Sequence, residues 1–191
     1  MNTDYEGILK SSLSDNEIME QVRDGNVKKL GELFERHADN LYRFLARHTN
    51  SPDASEDLVQ DVFFRMLKYR LTFRGDAPFT VWKYQLARNA ANDYFKKWKK
   101  EFPVNELPDE SEDSTNAAMN RKEETAFLQL ALNKLSAEKR EVLLLSRFQE
   151  LKYEQIGKIL QCPVGTVKAR VHFALRDLRE EYFKLTGERT A

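Results

Sequence analysis

The chain has 191 residues, 41% hydrophobic and 32% charged, with 31 Lys and Arg balanced by 31 Asp and Glu. That length allows one ordinary domain or two small ones, and no apolar run in the sequence is long enough to span a membrane. A single cysteine excludes an internal disulfide, and with the histidines scattered at 37, 48 and 172 it excludes a zinc framework too.

The opening "MNTDYEGILKSSLSDNEI" is polar and carries early acids, so the chain reads as cytoplasmic. Few Gly and Pro punctuate the sequence and no Val/Ile/Thr run alternates, which predicts an all-α fold. Asp15, preceded by Ser14, offers a cap for a first helix through Asp24, stopped by Gly25 and Asn26. A second runs from about Val27 to His48, with Leu30, Leu33, Phe34, Leu41, Phe44 and Leu45 on one face. The third, about Pro52 to Tyr69, carries an apolar stripe of Leu58, Val62, Met66 and Tyr69.

The first turns of that third helix hold Asp53, Glu56, Asp57 and Asp61 without a base among them, well placed against the positive end of the helix dipole. Asp57, Gln60, Asp61 and Phe64 recur at three- and four-residue spacing. Spacing alone leaves two readings open: a solvated face that compensates the dipole, or a docking surface for a basic or polar partner.

Gly75, Asp76 and Pro78 then break the chain, and a helix resumes at about Phe79. Phe79, Trp82, Leu86, Ala90 and Tyr94 share one side, most simply as core. Gln85, Arg88, Asn89, Asn92, Lys96 and Lys99 share another. From Val62 to Lys100 there are ten Lys and Arg against only Asp76 and Asp93, so this block is strongly basic although the chain is neutral. Amides that bond base edges, cations that hold phosphates and an aromatic that stacks suit single-stranded or distorted DNA. The plainer alternative is a solvated basic face.

The stretch "EFPVNELPDESEDSTNAAMN" has six acids, no base and few large apolar groups, so it reads as a flexible linker. Two small helical domains follow from it, residues 14–100 and 122–186, joined by the acidic linker 101–121. In the second domain Leu130, Leu132 and Leu135 lead to "LSAEKREVLLLSRF", where Ser136 can cap and Val142, Leu143 and Leu145 are core positions. "LKYEQIGKIL" packs through Ile156, Ile159 and Leu160, with Gly157 allowing close approach of the next helix. Gln161 and Cys162 make a turn, Pro163 suits a first helical position, and Val167, Val171, Leu175 and Leu178 form the inner stripe. The outer face carries Thr166, Lys168, Ala169, Arg170, His172, Phe173 and Arg176. This is the pattern of a helix-turn-helix, whose second helix enters the major groove.

In order and spacing, "ASEDLVQDVFFRML", "FRGDAPFTVWKYQLARNAANDYFKK" and "CPVGTVKARVHFALRDLR", with an acidic linker between the last two, resemble the extracytoplasmic-function (ECF) group of bacterial RNA polymerase sigma factors. The resemblance covers about Asn16 to Glu181. It implies that residues 14–100 are sigma region 2, in which Asp57, Gln60, Asp61 and Phe64 dock on the clamp helices of the polymerase largest subunit. It implies that Phe73, Arg74, Gly75, Phe79, Trp82, Gln85, Arg88, Asn89, Asn92 and Lys96 meet the melted minus-ten element. Asn89 falls where the family's pocket asparagine sits. Residues 122–186 would be region 4, docked at the polymerase flap, with Lys168, His172 and Phe173 reading minus-thirty-five bases and Thr166, Arg170 and Arg176 holding phosphates. An anti-sigma factor, often membrane-bound in this family, is the further partner implied.

Two positions depart from the family's usual pattern: Phe173, where relatives often carry a charge, and Lys83, where an apolar residue is usual. Cys162 sits in the turn as in many relatives and reads as small and buried. The alternative function is a helix-turn-helix regulator that binds duplex DNA without polymerase. The sequence has no Gly-rich phosphate loop and no nucleophile motif, so neither enzymatic activity nor a cofactor or metal is expected.

Overall fold

The computed structural model describes residues 13–101 and 119–187, all helices and connections, with no strand among them. Most of the linker expected at 101–121 lies outside the described residues. Helix α1 spans Asp15–Arg23, α2 Leu30–Thr49, α3 Pro52–Lys68 and α4 Phe79–Glu101; then follow α5 Met119–Lys134, α6 Ala137–Leu143, α7 Tyr153–Leu160 and α8 Val164–Thr186. Ser14, not Asp15, caps α1: its hydroxyl accepts from Glu17 N while the Glu17 carboxylate accepts from Ser14 N. Asp15 is thereby free to pair with Arg36 and His37 of α2.

Leu33, Leu41, Phe44 and Leu45 of α2 meet Leu58, Val62 and Met66 of α3 in the buried interior, as their helical spacing predicts. Tyr69 leaves that stripe, because α3 ends at Lys68 and Tyr69 turns outward, 41% exposed. In the second half, Leu132, Leu135, Val142, Leu143, Ile156, Ile159, Val167 and Val171 are buried together. After α6 the chain makes one wide turn over Leu144–Phe148, with Gln149 N donating to Leu144 O at 3.0 Å, and Glu150 then takes a left-handed conformation. Ser136 stands before α6 without a side-chain capping bond, and Pro163 stands one residue ahead of α8.

The two halves touch through polar groups, two of which, Gln85 and Arg88, periodicity places on the amide-and-cation face of α4. Arg140 on α6 is buried, and its guanidinium donates to the carbonyls of Leu132, Asn133 and Leu135 at the end of α5 and to His48 O near the end of α2. A cation thus serves the carbonyl ends of two helices, where the dipole is negative. Arg88 on α4 pairs with Glu141 at 2.9 Å, Gln85 donates to Lys158 O at 3.0 Å, and the Tyr84 hydroxyl donates to Gln149.

Candidate nucleic-acid interface

Two faces carry the nucleic-acid residues singled out above. The first is built where α1 holds the loop ahead of α4. Pro78 has no N–H and no local side chain bonds the Phe79 N–H; Asn16 of α1 supplies the bond instead. Its Oδ1 accepts from Phe79 N at 2.7 Å and its Nδ2 donates to Ala77 O at 3.2 Å. Arg23 reaches Phe73 O at 3.5 Å. Gly75 adopts φ +75°, and a Cβ there would lie 2.6 Å from the Glu20 carboxylate, so only glycine fits without displacing that group. Helix α1 therefore fixes the loop that precedes α4.

The structure divides the residues expected on this face into four groups. Phe73 and Phe79 are 3% and 1% exposed and form the floor beneath the loop, with Trp82 half-buried and its ring 5.4 Å from that of Phe73. Arg74 and Gly75 lie in the loop, Arg74 exposed. Gln85 and Arg88 face α7 and α6, as described. Asn89, Asn92 and Lys96 line a cleft of 480 Å³ between α3 and α4, together with Arg65, Tyr69, Thr72, Leu86 and Asp93. The cleft joins an aromatic ring, two amides and two cations, the groups that stack on a base, bond its edge and hold a phosphate. Arg65, Tyr69 and Thr72 escape a reading by single-helix faces because they arrive from the end of α3 and the turn after it.

Lys83, the departure noted beside Trp82, is 3% exposed. Its ammonium donates to His37 Nδ1 at 3.1 Å and lies 4.6 Å from the centre of the Tyr84 ring, while His37 Nε2 is 2.7 Å from Asp15 Oδ2. Burial pushes the lysine pKa down to about 8, with Asp15 opposing the shift. Burial also lowers His37, with Lys83 adding to the effect. His37 is best placed as a neutral ring, its Nε2–H donating to Asp15 and its Nδ1 accepting from Lys83. On α3, Asp57 and Gln60 are exposed, Phe64 is 62% exposed, and Asp61 is partly exposed and paired with Arg65.

The second face is the helix-turn-helix. Gln161 ends α7 in the left-handed region, and a Cβ on Gly157 would lie 2.9 Å from Cys162 O, so the close approach is made by the turn's backbone. Cys162 is partly buried. Val167, Val171 and Ala174 anchor α8 inward, which aims Lys168, His172 and Phe173 outward. Lys168 has no ion-pair partner among the described residues. Arg170 lies 3.8 Å from Glu138 and Arg176 3.1 Å from Asp177, and Arg176 also stacks on the exposed Phe173 ring at 5.3 Å. Thr166 is partly buried in the first turn. Among the described residues no group of His, Cys, Asp and Glu could hold a metal ion.

Comparison with known proteins matches both faces to one family. The family model for sigma-70 region 2 matches residues 33–101, and that for sigma-70 region 4 matches residues 128–178. The chain is 29% identical over 172 residues to the RNA polymerase sigma factor CarQ of Myxococcus xanthus, covering 85% of this chain and 94% of that protein. It is 27% identical over 175 residues to the ECF RNA polymerase sigma-E factor of Escherichia coli K12, covering 85% and 91%. It is 26% identical over 169 residues to the RNA polymerase sigma-H factor of Pseudomonas aeruginosa, covering 82% and 88%. Two solved structures share the fold. CnrH in complex with the cytosolic domain of CnrY has TM-score 0.70 and 22% identity, covering 92% of this chain and 99% of that one. The sigma factor RpoE with the anti-sigma factor NepR from Bartonella quintana has TM-score 0.69 and 24% identity, covering 85% and 99%.

Proposed function

We propose a division of labour within this chain, which belongs to the ECF group of the sigma-70 family and is an alternative sigma factor directing promoter-specific transcription initiation. The exposed side of α3, with Asp57, Gln60, Asp61 and the bare Phe64 ring, docks on the polymerase clamp helices. An acidic rim around one apolar anchor suits a basic partner surface. The loop of Arg74 and Gly75 and the α4 cleft of Asn89, Asn92 and Lys96 take the melted minus-ten strand. Phe73, Phe79 and Trp82 support that loop from beneath. Helix α8 enters the major groove at the minus-thirty-five element, with Lys168, His172 and Phe173 at base edges and Thr166, Arg170 and Arg176 at phosphates. Gln85 and Arg88 join the minus-ten face once they leave their contacts with α7 and α6.

The acidic segment 101–121 joins the two DNA-reading domains, 14–100 and 122–186, and threads through the polymerase in place of nucleic acid, while the second domain also meets the flap. An anti-sigma factor is the partner that holds the protein inactive; both solved neighbours were captured as complexes, one with NepR, named as an anti-sigma factor, the other with the cytosolic domain of CnrY. The protein works in the cytoplasm without enzymatic activity of its own. No helix among the described residues is long and apolar enough to cross a membrane.

The observation that carries this reading is that one chain holds both an amide- and cation-lined cleft on α4 and a helix-turn-helix. A regulator acting through duplex DNA alone needs only the second. Polymerase core carrying this protein should retain a forked promoter fragment whose minus-ten strand is unpaired, and Asn89→Ala should weaken that retention. Equal binding to the duplex by the free chain, with no gain on adding core, would favour the regulator.

A further inference from the structure

Arg65 stands where the docking helix meets the α4 cleft. Its Nε donates to Asp61 Oδ2 at 2.9 Å and its Nη1 to Asp93 Oδ2 at 2.8 Å, so one guanidinium ties α3 to α4. Asp93 is the only acid between Phe79 and Lys100, and it sits among Asn89, Asn92 and Lys96 with its side chain 54% exposed. An ion pair this exposed adds little to stability. A carboxylate in the middle of an amide-lined basic face is therefore better explained by what it does to Arg65. To a guanidinium fork, a carboxylate presents much the same pair of acceptor oxygens as a phosphodiester.

We propose that Arg65 is a further backbone-phosphate contact for the single strand held on the α4 face, and that Asp93 occupies it in the free protein as a stand-in for that phosphate. The location of the strand rests on the minus-ten reading above. Asp61, which holds the other edge of Arg65, belongs to the docking face. A polymerase cation that takes Asp61 removes one of the two anchors of Arg65, so core docking and strand capture favour each other. The free protein correspondingly spends its best-placed cation on itself.

The test titrates the free full-length chain and its variants against a fluorescein-labelled mixed-sequence single strand of roughly 15 nucleotides, read by anisotropy at several salt concentrations. Asp93→Asn should tighten binding about fivefold and steepen the salt dependence by roughly one phosphate contact. Arg65→Gln should cancel that gain, so the double variant binds no tighter than Arg65→Gln alone. Asp61→Asn should give a smaller gain with the same dependence on Arg65.

An equal gain in the Arg65→Gln background would mean that removing the carboxylate acts through bulk charge, and would overturn the proposal. So would unchanged affinity in Asp93→Asn, or no binding by any variant. Arg65→Lys keeps the charge without the fork and guards against misfolding in the glutamine variant, with thermal midpoints measured for each. Asn89→Ala and Lys96→Gln report on location. If both leave affinity unchanged while the Arg65 cycle holds, the strand lies elsewhere and the minus-ten assignment fails without the phosphate contact failing.

Discussion

Replacing Lys83 by methionine tests the physical account of the first domain, because it removes a buried charge while keeping most of the volume. Lys83 is 3% exposed and its pKa is pushed down from 10.5 to about 8, chiefly by burial. A displacement of that size corresponds to about 3 kcal/mol held against the folded state while the lysine is charged. The folded protein is the poorer proton binder. The penalty is therefore full below about pH 8, fades as pH rises towards 10.5 and is gone above it. Methionine relieves the penalty but leaves His37 Nδ1 without its donor, which costs about 1–2 kcal/mol. The net at pH 7 is a stabilisation of about 1–2 kcal/mol, or a rise in melting temperature of roughly 4 °C. Urea unfolding of both proteins at several values between pH 7 and pH 10 gives the gap directly. It should close, and then reverse, as pH rises. A variant less stable than the parent at pH 7, or a gap that does not change with pH, would refute the reasoning.

His48 is buried with its Nδ1 unpartnered, and burial pushes its pKa down to about 4. The parent should therefore lose about 3 kcal/mol as pH falls from 6.5 towards 4, and His48→Leu should abolish that slope in urea midpoints whatever its stability at neutral pH. Phe64→Ser should weaken binding to polymerase core at least tenfold, roughly the loss of an interface anchor, with the melting temperature unchanged; co-elution as strong as the parent's would count against the α3 face. Lys168→Ala should cost about 1–3 kcal/mol at the upstream element if it meets a base edge, and unchanged promoter affinity in a titration would remove it from that role.

Periodicity located α2, α3, α4, α7 and α8 because each buries a stripe that recurs every three or four residues, whereas α5 begins at Met119 inside the stretch read as linker. The turn at Gln161 and Cys162 was legible for the same reason, since it falls between two such stripes. Tyr69 fits the stripe of α3 by spacing, yet the helix stops one residue short and the ring turns out to the cleft. Lys83 and Arg140 are buried cations made tolerable by partners distant in sequence, His37 for one and His48 O among those of the other. The Asn16 bracket on Ala77 and Phe79 joins groups more than sixty residues apart. Pairings of that kind depend on how helices cross, which a local pattern does not encode. The wide turn at Leu144–Phe148 escaped because its composition is that of an ordinary buried helix. On the α4 face, the amides and cations of one helix were visible as a set, whereas the α3 wall of Arg65 and Tyr69 appeared only with the packing.

The most direct measurement adds the purified protein to bacterial RNA polymerase core and genomic DNA and sequences the 5′ ends of the transcripts. New start sites that share two spaced upstream motifs, lost with Asn89→Ala and Lys168→Ala, are the predicted result. Duplex binding without any new start site would contradict the account and leave the α4 cleft without a strand to hold.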